Sequence, residues 1–355
     1  MKRGYFIGMD VHCKSCNIAV VNSAGDVVHR AVCETAITAL LEVLEAVPRP
    51  RSLVIEEGPL AGWLCRNLQS AMDEMVVSEP RRNQLITKEG DKDDPLDAGK
   101  LAQLHRGGFI KRVHQCQSLE QAVFKQQVAV YHQRVGQRVR EGHRLASLFR
   151  RHGVMIRERA FVAEADRPAL LARLPANAAL RETITWLWES YDAAVDHEEK
   201  WRRRLVGLAQ QVEVVRRFEA LPGIAWIRGA TLYAYLDTPW RFASKSALWK
   251  YLGIGLQRKH SGSGPERLAV PWQTNRLLKS TILGAALSAV AQGENPFADL
   301  YRRWIAAGLS AKLARRNVAR SLAATLWGLW KNGNVYHPEW VGVVAAAPVA
   351  AKESR

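Results

Sequence analysis

Four carboxylates stand where a side chain of that kind needs a reason. Asp10 follows the apolar run Tyr5-Phe6-Ile7-Gly8-Met9, Glu56 ends Leu53-Val54-Ile55, and Asp94 and Asp97 flank Pro95 at the start of a periodic segment. An unpaired carboxylate in an apolar strand is costly and calls for a compensating cation. All four could converge on the open end of one sheet. Carboxylates gathered at about 4 Å repel one another unless a divalent cation lies between them, and Mg²⁺, with Mn²⁺ as an alternative, prefers such hard oxygen donors. Two such ions can activate an attacking oxygen and stabilise a leaving one during phosphodiester cleavage. Taken singly, Asp94 and Asp97 also suit a helix N-terminus, the commoner role of acids there. Glu56 and Glu57 are adjacent, so in a strand only one can face a site; Glu56 directly continues the strand.

A hydroxyl group forms the second candidate. Ser261 follows Arg258-Lys259-His260 and precedes Gly262, which gives the backbone room to approach a phosphate. A serine is a poor nucleophile unless a base or metal lowers the cost of removing its proton. By itself Ser261-Gly262-Ser263-Gly264 reads as a flexible loop, and Ser263 is a second hydroxyl in it. Cys13-Lys14-Ser15-Cys16 has CxxC spacing, but no second pair follows, and a strand sends positions i and i+3 to opposite faces. Five cysteines, an odd number, argue against a secreted disulfide scaffold.

The elements that must position these groups change character along the chain. Tyr5 to Val11, Cys16 to Val21 and Val27 to Val32 read as a three-stranded meander. Thr38 to Val47 has helical periodicity, Ser52 to Glu56 is a short buried strand, Leu60 to Met72 a helix, Glu74 to Val77 a strand and Leu96 to His105 a helix. That order describes an α/β domain resembling the ribonuclease H fold. Leu119 to His152 is helical and rich in arginine. Ile184, Leu187, Tyr191, Ala194, Glu198, Trp201, Leu205, Leu208, Val212 and Val215 then repeat in alternating steps of three and four, the stripe of an antiparallel helical arm or an oligomeric coiled coil. Leu221-Pro222-Gly223-Ile224 makes a sharp turn before Ala230 to Leu236. Phe242 to Leu252 and Thr274 to Gln292 are predicted helices, separated by a polar loop from Gly253 to Pro265. The expected domains are 1–112, 113–217, 218–344 and a disordered tail 345–355.

Charge separates these parts further. The chain of 355 residues carries a net charge of +17, yet residues 1–112 hold 15 basic and 15 acidic side chains, and the remainder holds 36 and 19. The first part is poorly suited to gripping a polyanion alone; the basic remainder suits delivering it to nucleic acid. No apolar run approaches the roughly 20 residues needed to span a bilayer, and Asp10 cuts the only N-terminal apolar stretch. A cytoplasmic, nucleoid-associated protein is expected.

These motifs together bear a resemblance to a known family. Gly8-Met9-Asp10-Val11-His12, Val54-Ile55-Glu56-Glu57-Gly58 and Asp94-Pro95-Leu96-Asp97-Ala98 resemble the DEDD signature of the insertion-sequence transposases of the class numbered one hundred and ten. Leu221-Pro222-Gly223-Ile224, Arg241-Phe242 with Ser244, Tyr251-Leu252-Gly253-Ile254, His260-Ser261-Gly262 and Asn275-Arg276-Leu277-Leu278-Lys279 follow in that family's order, so the likeness covers nearly the whole chain. Two departures stand out: Glu57 replaces the usual small residue after the acid, and Ala269-Val270-Pro271-Trp272 lies where Arg and Gly are common.

The resemblance implies a Holliday-junction-resolvase-like first domain, with Asp10, Glu56, Asp94 and Asp97 binding metal, and a mainly helical transposase domain in which Ser261 is the nucleophile. It further implies a bridge RNA whose loops pair with donor and target DNA. The expected activity is cleavage and exchange of DNA strands through a phosphoserine intermediate, by a homodimer that pairs into a tetramer. Two rivals remain: a metal-dependent junction resolvase using water, and a packaging protein whose acids only cap helices.

Overall fold

A computed structural model of the chain describes residues 4–80, 94–156, 164–259, 267–269 and 274–341. The tail 345–355 and Ser261 lie outside the described residues. The chain divides into two compact units, Met1–Ala122 and Val123–Arg355.

The first unit is a mixed five-stranded sheet with helices on both faces. Its strands are β1 (Tyr5–Val11), β2 (Ser15–Val21), β3 (Val27–Glu34), β4 (Arg51–Glu56) and β5 (Glu74–Ser78), in the order β3-β2-β1-β4-β5. The meander pairs antiparallel, whereas β4 lies parallel to β1, and β5 parallel to β4. Helices α1 (Ile37–Glu45) and α2 (Ala61–Leu68) cover one face, where Leu40, Leu44, Leu64 and Leu68 pack with Ile7, Met9, Leu53 and Ile55. Each such side chain contributes about 1.5–3 kcal/mol on full burial. Helix α3 (Asp94–Arg106) covers the other face through Leu101, which packs with Val54 and Val76.

Gly8 explains how closely α3 approaches. A Cβ at this position would come within 2.0 Å of the Ala98 carbonyl oxygen and 2.6 Å of the Ala102 nitrogen. Only glycine leaves space for the helix backbone there.

The second unit is mainly helical. Two long helices, α4 (Leu119–Arg151) and, beyond the short α5 (Arg167–Leu171), α6 (Ala178–Gln211), run antiparallel. Phe124, Val128 and Tyr131 cluster with Leu205 and Ala209, while Leu145 and Phe149 cluster with Ile184, Trp188 and Tyr191. Between these clusters Arg138 donates to the Glu198 carboxylate, which accounts for the one charged position in the apolar stripe. Ile184, Tyr191, Ala194, Leu205 and Val215 are buried within one chain, so much of the stripe is covered by α4 and its neighbours, while Leu187, Trp201, Leu208 and Val212 are half-buried. Nor is it one continuous helix: Val212 is extended, and Val215 belongs to the next helix, α7 (Glu213–Glu219).

The rest of this unit surrounds a third core. Helices α8 (Trp226–Leu236), α9 (Lys245–Tyr251), α10 (Arg276–Ala291), α11 (Pro296–Ala306) and α12 (Ala311–Asn332) bring Leu232, Leu248, Ile282, Phe297 and Leu322 together with Phe218. Caps set several boundaries. Ser244 accepts from the Ala247 amide, so the helix expected from Phe242 begins at Lys245, and Asn275 caps α10 in the same manner through Leu278. Gly223, with φ of +81°, turns the chain between α7 and α8, where a Cβ would lie 2.1 Å from the Ala285 carbonyl oxygen.

The expected loop from Gly253 to Pro265 needs correction. Strand β6 (Gln257–Lys259) lies inside it and pairs antiparallel with β7 (Arg267–Ala269). Strands of three residues carry too little alternation for a sequence pattern to register. No described helix is long and apolar enough to cross a membrane.

Candidate active site

Strand parity and helix packing bring the candidate acids toward one end of the first unit. Phe6 meets His105 of α3 edge-on at 5.6 Å, and the Ser52 hydroxyl is hydrogen-bonded to the same imidazole. One step along, Gly8 abuts Ala98 and Ala102, and Val54 packs on Leu101. Side chains two apart on a strand share a face. Asp10 therefore follows Phe6 and Gly8 on the α3 face, and Glu56 follows Ser52 and Val54 on it. The parallel register pairs Met9 with Ile55, which sets Asp10 and Glu56 side by side in the next row. Since α3 runs back along the strands from His105 near Phe6 to Ala98 near Gly8, its start lies toward the same end of the sheet.

The same parity separates Glu56 from Glu57. Leu53 and Ile55 belong to the core under α1 and α2, on the opposite face from Ser52 and Val54. Glu56 ends the strand on the α3 side, whereas Glu57 lies beyond the strand and donates its backbone N–H to the Ser78 carbonyl. At the other end of β4 the buried charge has a purely structural setting: Arg51 donates to the carbonyl oxygens of Glu45, Val47 and Ala71.

The side chains themselves are engaged locally. His12 Nε2 lies 3.0 Å from Asp10 Oδ2, and Lys100 Nζ lies 3.8 Å from Asp97 Oδ1. Glu56 is exposed. For Asp94 the structure gives the backbone position at the start of α3. Among the described residues no three His, Cys, Asp or Glu side chains are close enough together to hold an ion. The donor set nonetheless fits a hard divalent cation, being carboxylate oxygen throughout and carried by elements that share one end of the sheet. Ligand sites in open α/β sheets lie at such carboxyl ends of strands.

Two neighbours of Asp10 were not singled out by sequence reasoning. His12, two residues on, places its Nε2 against the Asp10 carboxylate, and the i, i+2 rule could have found it. Asn17 lies directly across from Asp10 on β2 and is 9% exposed, a buried polar group beside the carboxylate row. Its pairing is a matter of strand register, which one sequence does not reveal. Cys13 is exposed and Cys16 buried. Burial pushes the Cys16 thiol up, hydrogen bonds from Thr35 and the His12 backbone oppose this, and the Asp10 charge adds to the rise. Cys16 is held as a thiol, a poor metal donor.

Ser261 falls between β6 and β7 in the sequence, outside the described residues; its bracketing strands pair through Lys259 and Arg267. On the approach to this hairpin, the Arg320 guanidinium donates to the Ile254 carbonyl at 2.9 Å, and the Trp249 indole donates to the Arg320 carbonyl at 3.0 Å.

Residues 7–153, which include all four acids, match a family model described as Transposase, of the DEDD type in the IS110 class. Residues 215–302, which include Ser261, match a second model described as Transposase IS116/IS110/IS902 family. The chain belongs to the IS110 transposase family. A search of curated proteins found no match. An IS110-family transposase acts on DNA as a strand-cleaving enzyme, and the DEDD type of its first matched region indicates use of a divalent metal. The mixed α/β sheet followed by a helical C-terminal part fits that assignment.

Proposed function

We propose that the chain is a bridge-RNA-guided recombinase that exchanges strands between donor and target DNA through a covalent phosphoserine. The observation that carries this reading is the parallel register that sets Asp10 on β1 beside Glu56 on β4, with the start of α3 toward the same end of the sheet, in a chain whose family cleaves DNA. In this reading residues 1–112 are a ribonuclease H-like catalytic domain, 113–217 a helical arm and 218–344 the serine-bearing transposase domain. The strand order β3-β2-β1-β4-β5, with an antiparallel meander extended by two parallel strands, supports the first of these.

Asp10, Glu56, Asp94 and Asp97 would hold Mg²⁺ or Mn²⁺, which when bound supplies positive charge beside the oxygens of the scissile phosphate. The Ser261 oxygen attacks phosphorus as its proton passes to a base, for which the adjacent His260 is the candidate. The bond from phosphorus to the departing strand's oxygen breaks, and that oxygen takes up a proton to leave a free hydroxyl end. A hydroxyl end from the other duplex then attacks the phosphoserine and releases Ser261. One phosphodiester is made for each one broken, so no external energy source is required. Cutting strands on two duplexes needs several active sites, which a homodimer pairing into a tetramer provides.

The test is covalent trapping with labelled DNA and the copurified RNA. A DNA-linked protein band that survives denaturation and disappears in Ser261→Ala is the expected result. Cleavage without such a band would assign the attack to water and the chain to the junction resolvases. Retention of the band in Ser261→Ala and its loss in Ser263→Ala would move the nucleophile by two residues. Sequencing the copurified RNA tests the guide: one discrete species supports it, and random host RNA overturns it.

A further inference from the structure

The second unit exposes a tryptophan on a turn that is held in place from behind. Trp240 is 72% exposed, the most open indole among the described residues. It sits in the short turn Pro239–Arg241, whose start is capped by the Thr238 hydroxyl accepting from the Trp240 amide. The buried Trp327 indole of α12 donates to the Pro239 carbonyl at 2.7 Å, which ties the turn to the core. On the other flank, Arg241 donates to the Tyr235 carbonyl and the Tyr251 hydroxyl, with its guanidinium 4.3 Å from the Tyr251 ring centre. The turn that carries the exposed ring is thus held by three anchors.

A cation completes the arrangement. Lys331 Nζ lies over one face of the Trp240 ring, 4.9 Å from its centre, and over the Trp327 ring at 4.3 Å, so the face of Trp240 turned away from Lys331 is the one a ligand would meet. Helix α12, which carries Lys331, contains Lys312, Arg315, Arg316 and Arg320 and no acidic residue. Leaving an indole open to water forgoes its burial, and an ammonium beside it disfavours an apolar protein partner. Both features fit a ligand with a flat aromatic ring joined to an anion. An unpaired nucleobase next to its own phosphate has that chemistry.

We infer that Trp240 is a stacking platform for an unpaired base of single-stranded nucleic acid, with Lys331 receiving the neighbouring phosphate. This rests on the nucleic-acid reading above and assigns the contact to one surface. A duplex keeps its bases stacked on one another and offers no ring to the indole. The site therefore favours strands that cleavage or RNA looping has left unpaired.

The experiment compares binding of an oligothymidylate single strand and a blunt duplex to the full chain. Trp240→Ala should weaken the single strand by roughly 5- to 100-fold and leave the duplex within about twofold, while Trp240→Phe keeps most of the affinity. Lys331→Gln should lower the salt dependence of single-strand binding by about one phosphate contact. Unchanged single-strand affinity in Trp240→Ala, with binding otherwise normal, would overturn the stacking site and leave the proposed function standing. An equal loss on both substrates, or a change in the mass of the free protein, would overturn it too, in favour of a structural or self-association role. Failure of the unaltered chain to bind either substrate would instead bring down the nucleic-acid reading itself.

Discussion

The two units hold their candidate chemistry in different ways. In the first, Asp10 and Glu56 continue strands whose inner rows are packed against α3, and Asp94 and Asp97 open that same helix. In the second, Ser261 falls in sequence between two strands of three residues each. The acids inherit their positions from a core of leucine, isoleucine and valine, so any change in that packing moves them together. The strands that bracket the serine in sequence belong to a short antiparallel pair, and polar contacts of Arg320 and Trp249 hold the segment leading to it. With the proposed metal ligands in one unit and the proposed nucleophile in the sequence of the other, a substitution in each tests them separately.

The largest expected effect sharpens that difference at the chemistry itself. Asp10→Asn keeps the size and the strand but removes a charge from the row. DNA cleavage should fall on the order of 10³-fold or more, while nucleic-acid affinity, to which the basic remainder of the chain is suited, should stay near that of the unaltered chain. Calorimetry with Mg²⁺ gives a readout free of turnover, and the variant should release less heat of binding. Full activity in Asp10→Asn would return the acids to helix capping and strand structure.

The second effect concerns the helical hairpin. Leu205 is fully buried between α4 and α6, so Leu205→Glu places an unpaired charge in an apolar cluster. A destabilisation of about 3–5 kcal/mol is the scale for such a charge. Thermal unfolding should show it in the second unit, while Trp186→Ala, at a 66% exposed position on the same helix, should stay within about 0.5 kcal/mol. If Leu205→Glu unfolds normally but divides an oligomer, the stripe is an intersubunit seam after all.

Glycines give a matched pair across the two units. Gly8→Ala drives a methyl toward the Ala98 carbonyl, and Gly223→Ala drives one toward the Ala285 carbonyl with the added strain of positive φ. Each should cost about 1–3 kcal/mol in unfolding measurements. Their functional consequences should differ. Gly8→Ala pushes α3 and its acids away from β1 and so lowers metal affinity, whereas Gly223→Ala leaves metal affinity unchanged. Equal loss of metal binding in both would mean that the units are not separable in this sense.

Much of the first unit is legible in the sequence because its physics is local. Alternating and continuous apolar runs marked all five strands, and the acids stood out against them. What was not legible depended on pairing: Asn17 faces the Asp10 row only through register, and that Glu56 shares the α3 face follows from which neighbours of β4 meet α3. In the second unit the stripe from Ile184 to Val215 was visible, but not what covers it, since an apolar stripe looks the same whether its partner is α4 or another copy. Ser261 had basic neighbours and a glycine, but the run read as well as a flexible loop, and family likeness was needed to favour the nucleophile reading. Trp240 was invisible for a related reason: tryptophan is usually buried, and its exposure is decided by a turn that Trp327 holds from a distant helix.

The smallest effect tests whether the second unit depends on local caps where the first depends on packing. Ser244 accepts from the Ala247 amide and so ends the extended segment that precedes α9, the helix leading toward β6. Without that oxygen the first turn of α9 loses a hydrogen-bond acceptor, and Ser244→Ala should cost about 1 kcal/mol. Ser244→Asp restores an acceptor and adds a charge favourable to the helix N-terminus, so it should recover most of the loss. The informative readout is paired: unfolding midpoint for the cap, and yield of the covalent DNA adduct for the hairpin beyond it. A lower adduct yield in Ser244→Ala, recovered in Ser244→Asp with metal binding constant throughout, would show that the nucleophile is positioned through this short helix. An unchanged yield beside a lowered midpoint would place the control of the hairpin elsewhere, with the Arg320 bond to Ile254 as the next contact to remove.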